Sequence, residues 1–545
     1  MPATQWPRVL AVPEGGPEMS VIDLLLQAEA AADDRAVRRT AFRHRHLSVA
    51  PLVVCAYNLS GEAAAPIAFT YGTSPADVKT VISAEPRNRV SRFAAINEFG
   101  SDFAAHLAPY LATETRLVGK ANSQYELDVA VDVPQIVFPN TATQHYIADR
   151  LGRSLRYLGL RDADEVPEST KWTGAHLSWM SDHSHYPGQS VVLAATDLLS
   201  RHFATGQSAI EDENLAAFLA WIDNPAGSGL ARIRAAERVL PFGPVPDPQW
   251  ESELEPLVKE YTQAFRADKK KAMRGVEGRV MDLVEPVLTA AWDATQHALD
   301  IMRAIPPASS VPQRWDNDLR EWGAYCRRAQ RGIPTFSRRH SPLMAARRLE
   351  TWSKALESLE ADEAFDDPMV MAAFDADGQC LFGKASVVDA DNHEIKPGNI
   401  KASKVPLVTL ELDTSTRLLP GTVLVWTADR RVEAHVRSVP PAGLVGEVVV
   451  AIMGGHKNGT RLPRPGDSTS FVTLKPFQGR SPGEPSDVPW THRGPAEPLG
   501  SLDDGDGSDR SAGAEDDSPD MTLDQLANLP TVGTPGLEEV PGVVL

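Results

Sequence analysis

The densest run of groups able to hold a metal or move a proton is His176-Leu-Ser-Trp-Met-Ser-Asp182-His183-Ser184-His185. Imidazoles at i and i+2 can share one ion where the backbone is extended, with a carboxylate or a further imidazole completing the set. Asp182, His183 and His185 are therefore candidate metal ligands, against the simpler expectation that Ser184 opens a helix and caps its free N–H groups. A second string, Glu85-Pro86-Arg87-Asn88-Arg89, places Arg87, Arg89 and Arg92 near an expected helix start, where an anion is favoured. Its plainer reading is a strand stopped by Pro86 and a helix opened by Asn88.

The longest chemical signal is a basic belt. Between Arg266 and Arg348 lie sixteen Lys and Arg against nine Asp and Glu, a net of +7 in a chain of net −19. Arginine offers a planar fork to phosphate and stacks on bases, so arginines interleaved with Trp315, Trp322, Tyr325 and Phe336 suit a nucleic-acid surface. Arg266, Lys269, Lys270 and Arg274 are spaced to share one helical face. Together with Arg327, Arg328, Arg331, Arg338, Arg339, Trp322 and Tyr325 they are the candidate nucleic-acid contacts. The alternative is a solvated outer face, with arginines bridging acidic neighbours. No G-x-S-x-G, G-x-x-x-x-G-K-[ST] or G-x-G-x-x-G occurs, so no nucleotide or other cofactor is expected.

Elements must position these groups, and 545 residues allow two to four domains. The reading is a multi-domain α+β chain. Residues 1–17 form a Pro- and Gly-rich flexible leader, and 18–139 an α/β domain of order αβββαβ. Residues 140–365 form a helical domain carrying the belt, 366–478 a small β-barrel or sandwich, and 479–545 a disordered acidic tail. In the first domain a helix from Glu18 precedes strands at 49–57, 65–71 and 78–84, a helix at 90–111 and the alternating run Tyr125 to Val131. Helices are expected at 141–158, 188–203 and 212–222, then from Trp250 toward Leu283 and onward past Pro286. From Met369 the period changes to two, and seven short runs between turn signals point to the barrel or sandwich.

The αβββαβ order over residues 18–135 resembles the core of the PD-(D/E)xK nuclease family. The resemblance implies a metal-dependent nuclease, which needs two or three converging carboxylates to hold Mg²⁺ and a Lys to polarise the water; Glu29, Glu62, Glu85 and Asp128 are the carboxylates that could be recruited, with no spacing that forces them together. Two positions depart from the family pattern: 65–71 carries no carboxylate, and Glu85-Pro86-Arg87 stands where Glu-x-Lys is wanted.

From Arg480 onward the chain carries fourteen Asp and Glu against three Arg, so a net of −11 belongs to the tail and only −8 to the rest. Three distant cysteines give neither a disulfide framework nor a zinc site. With no export signal and no apolar run of membrane length, a cytoplasmic protein without a membrane partner is expected. Function is read as a non-enzymatic accessory or scaffold protein of a nucleic-acid-associated assembly. The belt would take DNA or RNA, and the tail, through Met521 to Leu529, a protein partner. A metal-dependent hydrolase and a purely protein-binding adaptor are the alternatives.

Overall fold

The computed structural model describes residues 21–474 except 61, 63–64, 119–123, 156–165, 225–229, 239–241, 247, 337–340, 396–400, 442 and 456–461. The expected leader and acidic tail lie outside the described residues.

After a first helix, Val21–Asp33 (α1), the chain builds a sheet. Leu52–Asn58 (β1) and Pro66–Gly72 (β2) are buried along their whole length. Such strands have no solvated face and need cover on both sides. They pair antiparallel, and Lys79–Ile82 (β3) pairs antiparallel with β2. Arg89–Leu107 (α2) follows, opened by the Asn88 side chain accepting from the N–H groups of Val90 and Ser91. Thr113–Val118 (β4) and Tyr125–Ala130 (β5) form a separate hairpin. Ile136–Phe138 (β6) then joins parallel to β1, and beyond Glu168–Ser184 (α3) the strand Val192–Ala194 (β7) joins parallel to β6. The sheet order is β3-β2-β1-β6-β7.

Alternation along β1 divides the core. Val53, Cys55 and Tyr57 pack with Pro248–Arg266 (α4) and Lys270–Arg303 (α5), through Leu254, Tyr261, Leu288 and Trp292. Leu52, Val54 and Ala56 pack with α2, α3 and Val311–Ala329 (α6), through Phe99, Trp179, Trp322 and Tyr325. Each large side chain so buried contributes about 1.5–3 kcal/mol. The α4–α5 pair and α6 therefore cover opposite faces of one sheet.

Several expectations change. The run ending at Val131 is a strand, but it pairs with β4, since Tyr-Glu-Leu-Asp-Val-Ala suits a half-exposed hairpin. The place beside β1 goes to Ile136–Phe138, three consecutive buried apolar residues. The boundary at 139 does not separate two cores, because helices from 248–329 cover the sheet begun at residue 52. Residues 188–203 form β7 and a short helix, Ala195–Ser200. The helix expected from Trp250 to Leu283 breaks between α4 and α5, whereas Pro286 lies inside α5.

Helix Pro342–Asp366 (α7) leads to Pro368–Ala376 (α8), a helix where a strand was expected. The reason is local: Asp367 caps it and Pro368 takes the first turn, where no N–H is needed. Cys380–Asp389 (β8), Leu407–Leu412 (β9), Val423–Trp426 (β10), Asp429–Ser438 (β11), Glu447–Gly454 (β12) and Ser468–Val472 (β13) close into a barrel in the order β8-β9-β12-β11-β10-β13. Barrel, not sandwich, is the outcome. Alternate residues such as Leu381, Val408, Leu410, Val436 and Val450 fill it. At Gly383 an added Cβ would lie 2.3 Å from the Glu411 carbonyl oxygen, so closure there needs glycine. The barrel meets α7 through Ala361, Ala364, Cys380 and Val472, and Arg430 pairs with Asp362 and Asp366 at 3.6 Å each. Among the described residues no helix is long and apolar enough to cross a membrane.

Candidate nucleic-acid interface

The turn between α4 and α5 gathers the first part of the belt. Asp268 adopts the left-handed region (φ 50°), its N–H reaching the Phe265 carbonyl at 3.1 Å and the Lys269 N–H the Ala264 carbonyl at 2.9 Å. That pattern satisfies the last carbonyls of α4 and turns the chain back. Arg266, Lys269, Lys270 and Arg274 therefore do not lie on one face of a continuous helix. They surround the tip of a helical hairpin, with Lys271 added. All five are exposed, and among the described residues none has an ion-pair partner. Below the tip, Arg279 bridges to Glu260 at 2.6 Å and Tyr261 donates to Glu277 at 3.2 Å, tying the two helices together.

The second part of the belt is differently used. Trp322 and Tyr325 are fully buried. Trp322 Nε1 donates to the Tyr110 carbonyl at 2.7 Å, and the Tyr325 hydroxyl and His176 Nδ1 share a hydrogen bond at 2.8 Å. These rings cannot stack on bases; the spacing Trp322, Tyr325, Cys326, Ala329 is the core stripe of an amphipathic helix. Arg327 donates to the Asp128 carbonyl at 2.6 Å and anchors β5. Arg328 lies over Tyr325 and Phe336, at 5.9 and 5.6 Å, and both Arg328 and Arg331 are exposed. Arg338 and Arg339 lie outside the described residues. With α4–α5 and α6 on opposite faces of the sheet, the belt is continuous in sequence but not in space.

The metal candidates do not converge. Asp182 and His183 are neighbours on α3, where successive side chains diverge by about 100°. His183 Nε2 meets Asp318 at 2.8 Å, and the other Asp318 oxygen accepts from the Ser190 N–H at 2.8 Å. Asp182 pairs with Arg348 at 2.8 Å, while His185 lies 5.8 Å from the Trp352 ring. Nor do the carboxylates implied by the nuclease resemblance. Glu29 is exposed on α1, Glu62 pairs with Arg87 at 2.7 Å, Glu85 accepts from Thr262 at 2.8 Å and Asp128 from Thr115 at 2.7 Å. Among the described residues no three metal-binding side chains come together.

One cluster was not read from the sequence. A cleft of about 180 Å³ is lined by Tyr71, Thr73, Asp77, Lys79, Asp102 and His106, among others. Lys79 Nζ bridges Asp102 at 2.8 Å and Glu98 at 2.9 Å, and Tyr71 donates to Asp102 at 2.6 Å. Hydrogen bonds to Asp102 and Glu98 raise the Lys79 pKa, so its amine stays protonated and is no nucleophile at neutral pH. The available signal was Glu98, Asp102 and His106 at i, i+4 and i+8. Their partners come from β2 and β3, which only the fold reveals.

Comparison with protein-family models, curated proteins and solved structures finds no match. The functional reading therefore rests on the geometry of the chain itself.

Proposed function

We propose that the protein is a non-enzymatic accessory component of a nucleic-acid-associated assembly, and that it grips phosphate through the Arg266–Arg274 hairpin tip. One observation carries this: five cations stand within nine residues at an exposed turn, without carboxylate partners among the described residues. Arg45 and Arg314, by contrast, pair with Glu363 and Asp362. Like charges crowded together repel, and a polyanion offsets that repulsion while releasing its own counterions. Arg328 and Arg331 form a separate, smaller basic site. The barrel adds a binding surface, and the acidic segment after Arg480 recruits a protein partner. A hydrolase has less support, since its carboxylates are held apart in separate pairs.

The test is fluorescence anisotropy of labelled single- and double-stranded DNA and RNA over a salt series. Engagement of the whole tip predicts a log K against log salt slope of about −4.5 for a duplex, at −0.9 per phosphate. Binding indifferent to salt, or none at low salt, contradicts the proposal.

A further inference from the structure

The cleft beside α2 has walls that are fixed before any ligand arrives. Its apolar lining comes from Leu52, Tyr71 and Phe103, all buried. Another wall is the turn between β2 and β3. Asp77 fixes that turn, accepting from the Thr73 and Ser74 N–H groups at 3.1 and 2.6 Å and from their hydroxyls at 2.7 and 2.9 Å. Where the turn leaves β2, Trp292 Nε1 of α5 donates to the Gly72 carbonyl at 3.3 Å. A ligand entering such a cleft has little of the chain to reorder.

The lining is acidic. Asp77 and Asp102 stand against Lys79, the one Lys or Arg among the lining residues, and Lys79 already bridges Asp102 and Glu98. Although burial opposes it, the bonds from Thr73 and Ser74 hold Asp77 at about 2. Against burial likewise, Lys79 and Tyr71 hold Asp102 below its ordinary value, so both carboxylates are charged at pH 7. Lys79 and Tyr71 both use Asp102 Oδ2, and Oδ1 has no hydrogen-bond partner among the described residues. His106, four residues on, shares that face of α2 and is also without a hydrogen-bond partner among the described residues. Burial lowers its pKa despite the Asp77 charge, so the ring is neutral at pH 7 and offers one acceptor nitrogen.

We infer that this cleft binds a primary ammonium group carried on a short apolar chain, with Asp102 Oδ1 and the His106 ring accepting from the ammonium and Leu52, Tyr71 and Phe103 packing on the chain. A cavity of about 180 Å³ has room for a body of roughly six carbon atoms. A guanidinium fork would need both oxygens of a carboxylate, and Asp102 Oδ2 already accepts from two donors. An anion would face two carboxylates and an amine that is already paired. A metal ion lacks its ligand set, since among the described residues no three metal-binding side chains come together. Free amines and the lysine side chains of other proteins share this chemistry. The site lies on the α2 side of the sheet and does not depend on the function of the α4–α5 tip.

Isothermal titration of the full chain with n-butylammonium, with n-butanol and butyrate as neutral and anionic controls, tests the inference. One saturable n-butylammonium site per chain is expected, with both controls at least about 10-fold weaker. Asp102→Asn keeps the shape and removes the charge, and affinity should fall about 10- to 100-fold; His106→Phe removes a neutral acceptor and should lose about 3- to 10-fold. Lys79→Met frees the second Asp102 oxygen and removes the cation, so it should bind n-butylammonium more tightly, which neither an anion site nor general damage to the fold would produce. Lys269→Glu/Lys270→Glu/Lys271→Glu should bind n-butylammonium normally, so failure at the tip and failure here are distinguishable. Capped lysine, acetylated and amidated at its backbone, binding more tightly than n-butylammonium assigns the site to a protein's lysine; weaker binding assigns it to a free amine. No saturable binding by the wild-type chain in the millimolar range, butanol or butyrate bound as well as n-butylammonium, or affinity unchanged in Asp102→Asn would overturn the inference.

Discussion

Asp367 is fully buried, and its carboxylate accepts from the N–H groups of Ala41 (2.6 Å), Phe42 (2.9 Å) and Met369 (2.9 Å), with His44 Nε2 at 3.3 Å. One side chain thereby caps α8 and fastens the segment before β1. Removing it leaves buried donors unpaired, so Asp367→Ala should lower stability by about 3–5 kcal/mol, read as a reduced urea midpoint. A change under 1 kcal/mol would contradict this role. Burial lowers His176 to about 3, and burial also lowers His202 to about 3 despite the bond it donates to Leu198. The unfolded chain binds these protons near pH 6.5 and the folded chain does not, so stability present above pH 6.5 is lost as pH falls toward 3. Asp212, raised to about 6 by burial, works the other way between about pH 6 and 4, one group against two. A urea midpoint that falls from pH 7 to pH 5 is expected; one that rises would show this balance to be wrong. None of these roles was legible in the sequence, because Asp367 and His44 lie far apart along the chain and meet only when folded.

At the scale of elements, the α4–α5 turn joins shape to charge. Asp268 pays for its left-handed backbone with a strained Cβ, which glycine lacks. Asp268→Gly should raise stability by up to about 1 kcal/mol and also tighten nucleic-acid binding, since it removes the one carboxylate at the turn. Asp268→Asn should reproduce the tighter binding with little change in stability. If neither variant binds more tightly, the turn is not the contact. The barrel strands were legible because period-two runs are punctuated by turn residues, as at Pro420-Gly421 and Pro465-Gly466. β6 and β7 were not, since three-residue strands carry no measurable period and take their place from parallel pairing with β1. The 369–374 run misled because six apolar residues fit either period; the Asp367 cap and Pro368 decide for helix.

For the whole molecule, position in sequence proved a poor guide to position in space. Sixteen basic residues between Arg266 and Arg348 read as one belt, yet the sheet lies between the α4–α5 pair and α6. The aromatic residues that completed the reading, Trp322 and Tyr325, belong to the core. Among the described residues, what remains of the candidate interface is the tip, with Arg328 and Arg331 apart from it. The acidic segment from Arg480, net −11, opposes the tip in sign. Ending the chain at Gln478 should therefore tighten nucleic-acid binding at low salt and leave it unchanged at high salt, where screening removes long-range repulsion. Equal affinity of the two forms at low salt would show that the segment does not act on the tip.

The most direct measurement compares duplex binding by the wild-type chain, by Lys269→Glu/Lys270→Glu/Lys271→Glu, and by Arg328→Glu/Arg331→Glu, each over the same salt series. The tip variant should bind far more weakly, with the log–log salt slope flattened by about 2 to 3 as phosphate contacts are lost, while the α6 variant changes little. Wild-type affinity and slope in the tip variant would contradict the account and return the search to the other faces of the molecule.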